Sequence, residues 1–162
     1  MRRFTSLLLL PIALFLLVTP AHATQPTLVT ATSHCCVSNT LVEQHTAGGN
    51  MFVTYSQVLT ETGDVQGTTN QTFTFIIHAN GELEVHGKGL FTGTVLGSQP
   101  GTAEVSFVAT GTISPFTTTG RSVVENGTGG LAGIHGEGTG GNFDPAHPEL
   151  GTLSILVHFD PA

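Results

Sequence analysis

Four polar residues are the best candidates in this chain for binding or converting a small molecule: Tyr55, Glu84, His86 and Arg121. Glu82, Glu84 and His86 alternate with Leu83 and Val85, so in a strand the three polar side chains share one face. A carboxylate beside an imidazole can act as general base and general acid. That pairing would suit a cofactor-independent isomerase or cyclase, with Tyr55 and Arg121 as candidate ligand-binding residues elsewhere in the chain. If Leu83 and Val85 turn inward, however, all three polar residues face solvent, which is the usual outcome of such alternation. Arg121 then has the ordinary role of pairing with a carboxylate.

Cys35 and Cys36 are adjacent and follow His34. Neighbouring Cα atoms lie about 3.8 Å apart, less than the span most disulfides prefer. A vicinal bridge is therefore tight. A redox site, a metal clip with His34, and a covalent dimer are the functional options; ordinary thiols on a loosely structured arm are the plain one. The chain has eight histidines, grouped at closest in pairs such as His34 with His45 and His78 with His86. Tetrahedral zinc needs three or four converging ligands, so the spacing specifies no metal. The sequence contains no nucleophile elbow, no phosphate-cradling glycine loop and no paired-cysteine zinc spacing, and it implies no cofactor.

The elements that must position these residues begin after a targeting segment. Arg2 and Arg3 precede the apolar run Leu7–Val18, and Ala21-His22-Ala23 follows as a cleavage signal. This is the layout of a secretory signal peptide cut after Ala23. The run is too short to span a bilayer core of about 30 Å comfortably. The expected organisation is a leader over 1–23, an N-terminal arm with a first short strand over 24–50, and a β-barrel domain over 51–162. The product is expected to be secreted or periplasmic, with no membrane attachment after cleavage.

Beyond the leader only Lys88 and Arg121 are basic, against eleven Asp and Glu. Nucleic acid binding needs clustered Lys and Arg, and anionic membrane surfaces need the same, so both are disfavoured. Threonine and glycine are abundant and Trp is absent, a composition that suits strands better than helices.

The strand pattern is regular. Thr27–Thr32 alternates, and Ser33–Asn50 is polar and reads as an arm or long loop. Met51–Thr60 is a strand, turned at Thr62-Gly63-Asp64. In Gln71–His78, Phe73, Phe75 and Ile77 alternate with Thr74, Ile76 and His78. Ala79-Asn80-Gly81 makes a hairpin turn, Glu82–His86 returns, and Gly87, Gly89 and Gly93 punctuate the following strand through Val95. Ala103–Ile113 and Thr118–Glu125 follow, then Asn126–Gly138, in which six of thirteen residues are glycine. Asn126–Gly130 reads as a turn and Leu131–Gly140 as a strand packed where little room is left for side chains. Asn142–Glu149 holds Pro145 and Pro148 and reads as a loop, and Leu153–Phe159 closes the chain. The expected fold is all-β, a single closed antiparallel barrel of about eight strands.

The segments Gly63–Gly67, Gly81–Val85, Gly93–Val95, Gly111-Thr112 and Gly127–Gly138 together resemble an uncharacterised bacterial domain family with the allene oxide cyclase-like (calycin-like) β-barrel, distantly similar to dirigent proteins. The resemblance covers about Met51–Phe159, and Gly127–Gly138 is its most specific part. It implies an eight-stranded barrel, self-association, and an interior able to hold a small apolar molecule. The catalytic residues of the plant cyclases have no assignable counterparts here, so their activity does not carry over. An eight-stranded barrel is either filled by side chains or holds one small ligand. The expected function is therefore binding of a small lipophilic molecule, with an isomerase-type enzyme and a packed structural module as the alternatives.

Overall fold

The computed structural model describes residues 25–142 and 144–160. The expected leader and its cleavage site lie outside these residues. The chain is all-β, with eight antiparallel strands: β1 (Thr27–Ala47), β2 (Asn50–Gly63), β3 (Val65–Ile77), β4 (Glu82–Val95), β5 (Gly101–Ile113), β6 (Phe116–Gly129), β7 (Ile134–Gly141) and β8 (Leu150–Phe159). Each strand pairs with the next, and β8 returns to β1 through the register Thr27↔Val157 to His34↔Leu150. The strands form a ring.

The Asn-Gly turn appears where the sequence places it. Gly81 N–H donates to the His78 carbonyl at 2.9 Å, and Asn80 Oδ1 accepts from the Glu82 N–H at 3.1 Å. The proline-containing segment before β8 is a loop, as its two fixed φ angles require.

Two expectations need correction. The polar composition of Ser33–Asn50 predicts an arm or loop, yet β1 runs through it for 21 residues. Polar residues are tolerated there because only the first half of β1 lies between two strands. Beyond His34 it has no partner in β8, and from Ser38 to Ala47 it pairs with β2 alone; Val37, Leu41 and Val42 are exposed. In the glycine-rich segment, β6 continues to Gly129 and the turn falls at Gly130–Gly133. Leu131 is thus in the turn, but fully buried. Its backbone lies so near the flanking strands that a Cβ on Gly101 would come within 2.7 Å of the Leu131 nitrogen, and one on Gly127 would meet the Leu131 carbonyl. The turn folds back so that its leucine joins the buried core.

Alternation decides the interior. Val53, Gln57 and Glu61 of β2, Val65, Thr69 and Phe73 of β3, and Leu83, Val85, Phe91 and Val95 of β4 are buried, while their even-numbered neighbours on β3 and β4 are more exposed. The buried apolar residues form two clusters. One surrounds Leu131, with Val29, Phe91, Ala103, Ile134 and Val157. The other holds Phe73, Leu83 and Val85, backed by Tyr55, Phe75 and Phe107.

Where large rings line the inside, the facing wall is bare backbone. A Cβ on Gly87 would lie 2.7 Å from the Phe73 Cβ and would also overlap the Phe107 ring. The Phe107 ring can swing aside, but the Phe73 Cβ is fixed to the adjoining backbone. Gly87→Ala is therefore expected to destabilise the fold by about 1–3 kcal/mol, as overpacking does. Chemical denaturation checks this, and an unchanged midpoint would contradict the close approach.

Candidate functional site

Along β3 the inward residues run Val65, Thr69, Gln71, Phe73 and Phe75. The first belongs to the cluster around Leu131 and the last two to the aromatic cluster, so a polar band separates the two apolar ones. On β2 the same wall carries Tyr55, Gln57, Leu59 and Glu61. Between the clusters lies a cavity of about 450 Å³, within the range of small-molecule pockets, roughly 300–1,000 Å³.

Glu61 anchors the polar band and is only 4% exposed. Its Oε2 accepts from the Ser33 hydroxyl at 2.5 Å and its Oε1 from the Thr69 hydroxyl at 3.0 Å. These bonds follow from register: Ser33 lies directly opposite Glu61 in the β1–β2 ladder. Gln71 Nε2 donates to Gln57 Oε1 at 2.9 Å, again across a direct pair. Gln57 Nε2 donates to the sulfurs of Cys35 and Cys36, at 2.9 and 2.7 Å. No side-chain polar atom among the described residues is buried without a partner, as a low-dielectric interior requires.

Cys35 and Cys36 are joined to each other as a vicinal disulfide. They are not thiols on a loose arm, because β1 carries them where three of its residues face one of β2. Cys35 borders the cavity. His34 points the other way and meets the Thr62 hydroxyl at 3.2 Å, so it does not join the cysteines. No group of three or more potential metal ligands is found among the described residues.

The four residues proposed from sequence end in different places. Tyr55 lines the cavity and packs on Phe73 and Phe75, with ring centroids 5.9 and 6.1 Å away. Glu84 and His86 lie on the outer face. There Glu84 meets His78 at 3.1 Å and His86 at 3.7 Å, since Leu83 and Val85 take the inward positions. Arg121 borders the cavity but is exposed, between the inward-facing Gly120 and Ser122. It makes no ion pair among the described residues, where every ion pair joins a histidine to a carboxylate.

At the rim, the loop after β7 is tied down by Asn142. Its Nδ2 donates to the Pro148 and Leu150 carbonyls, both at 2.8 Å, and its N–H to the buried Thr118 hydroxyl at 3.1 Å. The Cys35 N–H donates to the Glu149 carbonyl at 2.8 Å. A backbone N–H and the His147 imidazole, 3.0 Å away, hold the Glu149 carboxyl below the ordinary glutamate range.

Sequence reasoning missed Glu61, Gln57, Thr69 and Gln71. A signal was present: Gln57 and Glu61 share the period-two parity of Val53 and Tyr55. Ending the second strand at Thr60 hid it. No protein-family model matches this chain, and neither does any curated protein sequence.

Proposed function

We propose that the ring is a closed, calycin-like β-barrel that binds one small lipophilic molecule inside it. The observation that carries this reading is the cavity of about 450 Å³, walled mainly by apolar side chains and crossed by a short polar band. Few polar groups among many apolar ones is the usual make-up of a small-molecule site. A hollow interior also favours a carrier over a packed structural module.

The reading includes export by the general secretory route and a distant kinship with the allene oxide cyclase-like family. The glycine-rich segment and the antiparallel strand order fit that kinship. Self-association fits the exposed Val37, Leu41 and Val42 on a half-strand with one free edge. A second reading, a cofactor-independent isomerase, rests on Glu61: a buried carboxylate steadied by two hydroxyls is placed to handle a proton inside the cavity.

A lipophilic fluorescent dye added to the purified protein tests the first reading. One dye per chain is expected, with its emission shifted to the blue by the apolar walls. Absence of saturable uptake would count against it.

A further inference from the structure

We propose that the molecule held in the ring carries a hydrogen-bond-donating head, a primary ammonium above all, on a flat apolar body, and that a carboxylate head is rejected. This inference rests on the carrier reading and adds the ligand's chemical class. Around Glu61 the polar band has few donors left to offer. The Ser33 and Thr69 hydroxyls both donate to Glu61, and the Gln57 amide group donates to the two sulfurs. Gln71 has one N–H engaged by Gln57. Around Glu61 the remaining capacity is mostly for accepting: lone pairs on its carboxylate, on the two hydroxyl oxygens and on Gln71 Oε1; the Tyr55 and Ser122 hydroxyls, and Arg121 at the border, are lining groups that can donate elsewhere on the wall.

The charge balance agrees. Glu61 is the buried ionisable group on the cavity wall; no histidine or lysine lines it, and Arg121 is exposed. A ligand carboxylate beside Glu61 would bring a second negative charge away from water, with no histidine or lysine on the wall and Arg121 held at the exposed border. An ammonium would instead form a charge-assisted hydrogen bond with it.

The body is specified by the other end of the cavity. Tyr55, Phe73, Phe75, Phe107 and Phe116 form a continuous aromatic wall. Phe73 meets Phe75 edge-on at 5.0 Å, and Phe75 meets Phe116 edge-on at 6.1 Å. Rings in that arrangement offer both faces and edges to a flat partner.

Three naphthalene probes with the same body test this: naphthylethylamine, naphthylethanol and naphthylacetate. The chain has no Trp, so probe fluorescence is read without interference. Moderate salt screens attraction to the acidic exterior. The wild-type protein is expected to bind the amine about tenfold more tightly than the carboxylate, with the alcohol between them. Glu61→Gln keeps the side-chain shape and is expected to erase the advantage of the amine over the alcohol, leaving alcohol affinity within about twofold. Carboxylate binding as tight as the amine's, or an amine preference that survives Glu61→Gln, would overturn the head-group assignment while leaving the carrier reading in place. Failure of all three probes to bind would overturn both.

Discussion

Leu131→Ala is expected to lower the unfolding free energy by about 3–4 kcal/mol, with a fall in Tm on the order of 10 °C. Leu131 is fully buried and packs with Val29, Ala103, Ile134 and Val157. Its turn is held by consecutive backbone bonds, Leu131 N–H to Thr128 O at 3.1 Å and Ile134 N–H to Leu131 O at 3.1 Å. Gly133, at φ +73°, receives the Asp160 N–H on its carbonyl at 2.7 Å. These bonds keep the turn from collapsing into the hole left by the lost side chain, which is why the low end of the usual range does not apply. Thermal denaturation followed by circular dichroism checks this. A loss below about 1 kcal/mol would mean that Leu131 is not part of the packed core.

Val105→Trp is expected to reduce affinity for a lipophilic ligand about a hundredfold, some 2.7 kcal/mol, with little change in Tm. Val105 lies on the cavity wall between Gly89 of β4 and Val124 of β6 in the ladder. An indole there would extend into open space and occupy the volume meant for ligand. The two readouts separate explanations: lost binding with retained stability marks a filled cavity, whereas a large loss of stability would show that the interior was already packed. Titration calorimetry with the same dye for both proteins supplies the first readout.

Several parts of this architecture were legible in the sequence. Phe73, Phe75 and Ile77 against Thr74, Ile76 and His78 announced β3, and Asn80-Gly81 announced the hairpin. Both signals are local: side-chain alternation on a pleat and positive φ at a tight turn. The course of β1 was not legible, because a strand paired on one edge and exposed on its surface needs no apolar pattern. The position of the glycine-rich turn was missed for a related reason. Leu131 is apolar because it faces the core, and burial does not distinguish a strand residue from a turn residue folded back into the core.

The candidate site was legible only in part. Tyr55, the single Tyr of the chain, does line the cavity. Glu84 and His86 drew attention through their chemistry, but Leu83 and Val85 claimed the interior and left them to one another and to His78. Glu61 falls between the strand end read at Thr60 and the Thr62-Gly63-Asp64 turn, where no local pattern marks it. Its role depends on Ser33 and Thr69, which lie 28 and 8 residues away in sequence. Only the ladder registers bring them together.

Native mass spectrometry of the protein purified from its source tests most directly whether the ring carries a small molecule. The expected spectrum shows each chain with one additional small molecule of defined mass, released on collisional activation and absent from the Val105→Trp variant. A spectrum of bare chains alone, from protein that also fails to take up a lipophilic dye, would contradict the account.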